Sequence, residues 1–180
     1  MPDVKRVIVG VSESPAGLAA LRHAVAEARR ADCVLIPVLA WTTPGGETAY
    51  YQYPVPSALR EWQMLARKRL DTAFEEAFGG FPTDLVIRPI VPRAPAGTAL
   101  VEIAGAPGDL LVVGAGRRHW ARRLVRSSVT RYSLAHAKCP VVAVPPPELL
   151  GEVSFKARTL RRFRGRVTSD WTAAMHDPHS

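Results

Sequence analysis

The sequence predicts an α/β domain built on an open, doubly wound parallel sheet. Segments rich in apolar and β-branched residues alternate along the chain with segments of helical periodicity. The apolar segments are continuously hydrophobic, which is typical of strands that helices cover on both faces. The chain has 180 residues, 47% of them hydrophobic, so it can form one folded domain with a short appendage.

The first strand and the first helix are clearly marked. The segment VKRVIVGV, Val4–Val11, is β-branched and ends at the polar run SESP, which predicts a strand. Ser14 followed by Pro15 predicts a helix start, because a hydroxyl can cap the first turn and proline suits the first helical position. Apolar residues then recur at helical spacing to about Ala31, at Leu18, Leu21, Val25 and Ala28.

A strand, a long loop and a long helix are predicted next. The strand is CVLIPVLAW, Cys33–Trp41, and the Gly- and Pro-rich segment Thr42–Pro56 is predicted to be a loop, of a length often found in lids and contact surfaces. Ser57 is predicted to cap the following helix and Gly79-Gly80 to end it. The helix carries one apolar stripe, made of Trp62, Leu65, Ala66, Leu70, Ala73, Phe74 and Ala77.

The remaining segments complete a pattern of five strands. The third strand is DLVIRPIV, the fourth is DLLVVGAG, and the fifth is PVVAVPPP, which three prolines end because proline cannot donate a ladder hydrogen bond. A short helix from about Ala96 to Ala104 precedes the fourth strand. A last helix is predicted to begin at Ser127 or Ser128 and to end near Ala137.

A ligand site is expected where the loops after the first and fourth strands lie. In doubly wound sheets, ligands bind beyond the carboxyl ends of the strands, at the point where the strand order reverses. If the first and fourth strands are neighbours, the loop Ser12–Ser14 and the loop Gly114–Ser128 meet there. The second loop leads to a predicted helix N-terminus, which attracts anions through its free N–H groups and dipole.

Four stretches of the sequence, taken together, resemble the universal stress protein family. They are VIVGVSESPAGLAALRHAVAEA, LIPVLAW, DLLVVGAG and SSVTRYSLAHAKCPVVAV, and the resemblance spans Val4–Val144. It implies a five-stranded sheet in the order 3-2-1-4-5, of the adenine nucleotide alpha-hydrolase-like fold, and commonly a homodimer. Many members of the family bind ATP, with Mg²⁺ where the nucleotide carries it, and others do not.

The phosphate loop departs from the pattern of the ATP-binding members. That pattern is a glycine, two residues, a glycine, nine residues, and then a glycine with Ser or Thr. Gly114 matches the first glycine, but Arg117 and Ser127 stand at the other two glycine positions. Ser128 matches the closing hydroxyl and is followed by a matching Val129. The frame of the motif is therefore retained while two of its glycines are replaced.

The loop after the first strand also differs, because Ser12 replaces a usual aspartate. Ala40, at the end of the second strand, matches the position that lies against the adenine. The resemblance thus implies a nucleotide site made of ten residues: Gly10, Val11, Ser12, Ala40, Val113, Gly114, Arg117, Ser127, Ser128 and Val129.

Two interpretations of this altered site stay open. An arginine fork at position 117 is a strong phosphate ligand, and Ser127 and Ser128 still offer hydroxyls, so the site can bind a nucleotide or another phosphorylated anion. Alternatively, the lost glycines remove backbone freedom and space, and the protein is an interaction module whose ATP site has lapsed. The same residues also have purely structural interpretations. Gly114 would form a tight turn, the serines would cap a helix, and the arginines between Arg117 and Arg131 would form a solvated basic surface.

The predicted domain ends at residue 147, after the prolines that stop the last strand. The formal net charge is +8, which favours anionic partners. Residues 1–147 form the predicted domain, and residues 148–180 form a basic extension, either flexible or a short helix. Gly151–Ser180 carries six Lys or Arg against three Asp or Glu. A weaker expectation gives this extension a contact with nucleic acid or membrane.

Several function classes lack support in the sequence. No nucleophile elbow, HExxH motif or P-loop occurs, so we expect a binding and regulatory protein in stress response rather than an enzyme, with at most slow nucleotide hydrolysis. Cys33 and Cys139 have no partner at metal-ligand spacing, and no metal is expected apart from nucleotide-bound Mg²⁺.

The absence of a targeting segment predicts a cytoplasmic protein. The fifth strand would lie at a sheet edge, which predicts pairing in a homodimer.

Overall fold

Four parallel strands form the central sheet in the described part of the chain, which comprises residues 4–52, 54–115 and 129–147 of a computed structural model. The strands, in the spatial order β2-β1-β3-β4, are β1 (Arg6–Gly10), β2 (Val34–Val38), β3 (Asp109–Gly114) and β4 (Val141–Val144). The helices are α1 (Pro15–Ala31), α2 (Gly46–Gln52), α3 (Pro56–Phe78), α4 (Ala96–Ile103) and α5 (Val129–His136).

The sheet divides the core into two layers. Val7 and Val9 of β1 face a cluster that includes Leu21 of α1 and Phe74 of α3, whereas Ile8 faces the opposite side. On that side Ile8 shares a cluster with Leu100 of α4. Because successive side chains of a strand point to opposite faces, both faces must be apolar, which explains the continuous hydrophobic runs. The predicted α/β architecture with helices on both faces is confirmed.

The start of α1 is formed as the sequence predicts. Ser14 is the N-cap, and its Oγ accepts a hydrogen bond of 3.0 Å from the Gly17 N–H. Pro15 occupies the first helical position, where its missing N–H costs nothing because that group has no partner inside a helix. The helix ends at Asp32, whose left-handed backbone (φ 47°) lets its N–H bond to the last turn.

The predicted loop Thr42–Pro56 is wrong in part, because it contains the helix α2. The Glu47 carboxylate in the first turn of α2 accepts hydrogen bonds from Arg93, at 3.2 and 2.6 Å. The Tyr50 ring lies edge-on to Trp62 of α3, with 6.4 Å between centroids. These contacts are distant in sequence, so the local Gly and Pro content gave no sign of them.

The predicted cap of α3 is also wrong. The helix begins at Pro56, Val55 is its N-cap, and no side chain caps it, so Ser57 lies inside the first turn. The predicted end is confirmed, because Gly79 closes the helix in the left-handed conformation (φ 73°). Of the predicted stripe, Leu65 is 57% exposed, and the buried members are Ala66, Leu70, Ala73 and Phe74.

The prediction of five strands is corrected to four for the described residues. The segment predicted as the third strand lies beside β2 but makes only isolated parallel bridges, such as Leu35 with Ile87 and Val38 with Ile90. A regular parallel ladder between β2 and this segment would need backbone N–H donors at position 37 of β2 and at position 92. Both residues are proline. Proline has no N–H, so the ladder is interrupted on each side.

The last strand, β4, lies at one end of the described sheet, next to β3. The residues through Pro146 form one compact unit. The predicted basic extension, residues 148–180, lies outside the described residues and its nature stays a prediction.

One buried ion pair joins the first residues of two neighbouring strands. Asp109 of β3 is 2% exposed, and both of its carboxylate oxygens accept hydrogen bonds of 2.7 Å from Arg6 of β1. The Ala106 N–H donates a third, at 2.8 Å. Burial raises the pKa of Asp109, but the hydrogen bonds from Arg6 and Ala106 outweigh it, so the pKa lies below its usual value.

Arg6→Met is expected to lower the free energy of unfolding by about 1–3 kcal/mol at neutral pH, because it leaves a buried carboxylate short of donors. Arg29→Met is the matched control, since the Arg29–Asp84 pair is about half exposed on both sides. It should change the free energy of unfolding little, because water screens an exposed ion pair. Urea unfolding of the wild type and both variants measures the difference.

The same pair has a definite pH dependence. In the wild type, the lowered pKa of Asp109 stabilises the fold above the unfolded-state value of about 3.9, and this contribution is lost as the pH falls through the folded-state pKa. Without Arg6, burial dominates and raises the pKa of Asp109. In mild acid the carboxyl group of the variant is then protonated, and the cost of burying its charge disappears. The difference between wild type and Arg6→Met should therefore shrink from neutral pH to mild acid. A constant difference would contradict this account.

Candidate functional site

The ends of β1 and β3, from which the two predicted loops start, lie next to each other, as the sequence predicts. The two strands pair in parallel, with Val9 opposite Val112, so their carboxyl ends meet at the same edge of the sheet. We call the region between Ser12–Ser14 and Gly114 the carboxyl-edge crevice. It lies at the N-terminus of α1, a helix of 17 residues whose first N–H groups face this edge.

Two glycines let the backbone segments of the crevice approach closely. A Cβ added at Gly114 would lie 2.7 Å from the backbone carbon and oxygen of Ala16 in α1. A Cβ added at Gly17 would lie 2.1 Å from Ser12 Oγ and 2.4 Å from the Ser12 carbonyl oxygen. The first turn of α1 is therefore pressed against the end of β3 on one side and against Ser12 on the other. Glycine is required here for space.

Two serine hydroxyls in the crevice are hydrogen-bonded to each other, which leaves one hydroxyl proton available for a ligand. Ser12 Oγ and Ser14 Oγ are 3.0 Å apart, and Ser14 Oγ also accepts from the Gly17 N–H. One hydroxyl must donate to the other, so the second proton has no acceptor among the described residues. The pair can donate a hydrogen bond to an anionic oxygen, which an aspartate at position 12 could not do when ionised.

The end of β3 is also tied to the start of α5. Thr130 Oγ1 donates a hydrogen bond of 2.9 Å to the Gly114 carbonyl oxygen. The Ala115 N–H donates one of 2.7 Å to the Val144 carbonyl oxygen. These bonds hold Ala115 and the first turn of α5 at the carboxyl edge of the sheet. Thr130 and Gly17 were not among the predicted site residues, although Thr130 stands in the quoted run SSVTRY.

The other predicted site residues fall into three groups. The side chains of Val11 (8% exposed) and Val113 (2% exposed) belong to the core, so only their backbones can face a ligand. Gly10 packs against Leu100 of α4, because a Cβ there would lie 3.0 Å from Leu100 Cδ1. Two further predicted residues, Ala40 and Val129, are half-buried.

Three predicted phosphate contacts, Arg117, Ser127 and Ser128, lie outside the described residues. Their role stays a prediction from the sequence. The described ends of their loop, Ala115 and Val129, both lie at the carboxyl edge of the sheet.

A charged and aromatic cluster lies beyond the end of β2, next to Ala40. The Arg93 guanidinium binds Glu47 and lies 4.6 Å from the centre of the Tyr50 ring and 6.0 Å from that of Trp41. The hydrogen bonds from Arg93 hold the pKa of Glu47 below its usual value. Thr43, which is 2% exposed, also donates to Glu47. This cluster fixes α2 against the sheet and so shapes the Ala40 side of the crevice.

Glu13, the residue after Ser12, is also paired. Arg69 Nε of α3 lies 3.3 Å from Glu13 Oε1, across an exposed part of the surface. The two carboxylates in the segments after β1 and β2, Glu13 and Glu47, are therefore both neutralised by arginine.

In the part of the chain that the structure describes, no group of three or more His, Cys, Asp or Glu side chains could hold a metal ion. None of the described helices is both long and apolar enough to cross a membrane.

The sequence profile of the universal stress protein family matches residues 3–145 of this chain, most of its length. The chain belongs to the universal stress protein family. Two curated universal stress proteins of Mycobacterium tuberculosis, from strains CDC 1551 and H37Rv, are each 36% identical to it over 146 residues, which cover 77% of this chain. The match covers 46% of each relative, so this universal stress protein spans about half their length.

Solved structures of the family share the fold. A universal stress protein in complex with cAMP is 25% identical, with a TM-score of 0.51, and the match covers 80% of this chain and 98% of that one. A universal stress protein from Archaeoglobus fulgidus is 19% identical, with a TM-score of 0.53, over 78% of this chain and 98% of that one. The resemblance in the sequence is thus confirmed at the level of family and α/β fold.

Gly114→Ala tests the packing at the crevice. We expect a loss of about 1–3 kcal/mol in the free energy of unfolding, because the new methyl group meets backbone atoms of α1 that cannot move without shifting the helix. Gly46→Ala is not a suitable control, since Gly46 has positive φ (86°). Gly105→Ala is the milder comparison, because an added Cβ there would lie 3.3 Å from the Glu102 carbonyl oxygen, a tight contact but not the overlap expected at Gly114. Equal melting temperatures for both variants would contradict the packing argument.

Proposed function

We propose that this universal stress protein is a regulatory binding protein of stress response, which takes a nucleotide or another phosphorylated anion in the carboxyl-edge crevice. The observation that carries the proposal is the Ser12–Ser14 hydroxyl pair at the N-terminus of α1, beside the end of β3. A hydroxyl proton without an acceptor among the described residues and the positive end of the α1 dipole both favour an anionic oxygen. The related structure with cAMP bound supports an adenine nucleotide as the ligand.

Different residues of the crevice would contact different parts of the ligand. Gly10, Val11 and Ser12 would line one side, and Ala40 would lie against the base. The phosphate would be held at the opposite side by the backbone of Val113 and by Gly114, Arg117, Ser127, Ser128 and Val129. At the position where the family pattern has a glycine, the Arg117 side chain would offer a guanidinium group, which binds phosphate oxygens through two donors.

Ser12 in place of aspartate shifts the expected ligand preference. A carboxylate at this position accepts hydrogen bonds from a ribose hydroxyl or an amine, whereas the serine pair has a proton to donate. The site should therefore depend more on the phosphate and less on the nucleoside than one with aspartate. Mg²⁺ would enter, if at all, with the phosphate chain.

Catalysis is not part of the proposal. Glu13 and Glu47 are each paired with arginine, so neither is free to act as a general base in the described arrangement. Any nucleotide hydrolysis would rest on positioning alone and would be slow. The cytoplasmic location predicted from the sequence belongs to the same proposal.

Isothermal titration calorimetry with ATP, ADP, AMP and cAMP tests binding directly. We expect binding with a dissociation constant below about 1 mM for at least one of them, which corresponds to about 4 kcal/mol. Ser12→Asp should weaken binding of the nucleotide phosphate, and Ser57→Asp, which makes the same change of charge outside the crevice, should not. Absence of heat for folded protein at millimolar ligand would refute the proposal.

The alternative function is an interaction module whose ATP site has lapsed, and the replaced glycines favour it. The triple change Ser12→Asp, Arg117→Gly and Ser127→Gly should then create ATP binding that the wild type lacks. Micromolar binding of ATP by the wild type would exclude this alternative. Contacts of the basic extension with nucleic acid or membrane would belong to the same interaction role.

A homodimer through β4 is part of the proposal. One edge of β4 has no strand partner among the described residues, and its side chains are half-buried or exposed. Pairing with a second copy would cover this edge. The expected mass in light scattering is about twice that of the monomer, and an added proline, Ala143→Pro, should lower it by removing an N–H donor from β4. A monomeric wild type at high concentration would contradict the dimer.

A further inference from the structure

We propose that a second binding site lies at the opposite end of the sheet and takes a small amphipathic carboxylate, with an apolar body and one anionic head. A cavity of about 570 Å³ opens there, at the amino ends of the strands. It is lined by residues just before β1 and β4 and at the start of β3, such as Val4, Pro140 and Asp109. We call it the amino-edge trough. Among the described residues it shares no lining residue with the carboxyl-edge crevice, so this inference is independent of the proposed nucleotide site.

The floor of the trough is apolar. Val4, Leu110 and Val142 line it, and all three belong to or pack against the core cluster on the α1 side of the sheet. Because β4 is the last described strand, α1 has no helical neighbour there to cover Val142 among the described helices. The volume lies within the range of about 300–1,000 Å³ that is typical of small-molecule sites, which are also mostly apolar. The floor therefore suits a hydrocarbon or aromatic body.

One wall of the trough carries charges that neutralise each other. His23, Glu27 and Arg30 lie four and three residues apart on α1, which places them on one face of the helix. The Glu27 carboxylate is bound by Arg30 and lies 4.0 Å from His23 Nε2. The pKa of Glu27 is lowered, first of all by its hydrogen bond from Arg30. This wall offers no free charge to a ligand while His23 is neutral.

Among the lining residues that the structure describes, the remaining charges leave one cation without an ion-pair partner. Asp109 also lines the trough, but both of its oxygens are taken by Arg6. Lys138, which lies between α5 and β4, lines the rim and has no ion-pair partner among the described residues. A single ammonium above an apolar floor complements one carboxylate with an apolar body. It does not match a polyphosphate, which needs several donors.

The binding experiment uses the full-length protein and three probes of equal chain length: decanoate and decylamine below their micellar concentrations, and decanol below its solubility limit. Calorimetry or ligand-observed NMR should show decanoate binding most tightly, decanol more weakly and decylamine weakest. Decanoate binding should be unchanged by saturating AMP, because the two sites lie at opposite ends of the sheet. No decanoate binding at millimolar concentration, or equal binding of decylamine, would overturn the proposal.

Two kinds of variant locate the site. Lys138→Gln should weaken decanoate about three- to fivefold, as expected for an ion pair at a partly exposed rim, and should leave decanol unchanged. Lys68→Gln removes the same charge from the exposed surface of α3 and should change neither. Ala31→Phe, which places a ring in the wall of the trough, should weaken both probes.

Folding of each variant is checked by circular dichroism and melting temperature. If Ala31→Phe does not fold, Val142→Phe fills the floor instead, on a strand where an aromatic residue is well tolerated. Decanoate affinity that is the same in Lys138→Gln and in a folded filling variant as in the wild type would place the probe elsewhere and refute the assignment.

Discussion

The contact between the first turn of α1 and the end of β3 is the constraint on which the rest of the site depends. Gly114 lies so close to Ala16 that a single methyl group would overlap with backbone atoms. Gly17 lies even closer to Ser12 on the other side of the same turn, both to its carbonyl oxygen and to its Oγ. Because backbone atoms take part in both approaches, they position the helix N-terminus with little freedom to shift. The position of the α1 N-terminus beside the end of β3 follows from this arrangement.

The two ends of the sheet differ in chemistry for a simple reason. At the carboxyl end, polar loops and the N-terminus of α1 offer hydrogen-bond donors, with the Ser12–Ser14 pair as the nearest hydroxyls. At the amino end, short connections leave an apolar surface beside the edge strand, and the buried Arg6–Asp109 pair neutralises its own charge. The first end suits phosphate oxygens, and the second suits an apolar body with one charge. A single small domain thus has two chemically distinct surfaces.

Much of the fold could be predicted from the sequence, because its signals are local. Ser14, Pro15 and Gly79 mark helix ends through their own backbone preferences, and these predictions are confirmed. The failures have long-range causes. The helix α2 depends on Arg93, 46 positions away from Glu47, and the missing strand depends on prolines in two paired segments. The pairing of the two strands whose ends flank the crevice was expected from the sequence, but Gly17 and Thr130 became visible only through contacts across the fold.

The sequence by itself determined the family, the alternation of strands and helices, and the replacement of aspartate and two glycines in the motif, because these are properties of residue type and order. Only the tertiary structure decided that the Ser12 hydroxyl is paired with Ser14 and that Asp109 is neutralised by Arg6. It also decided that Lys138 stands beside an apolar floor. Hydrogen bonding, burial and charge balance depend on which segments meet in space, and residues as far apart as 6 and 109 meet only when the sheet has formed.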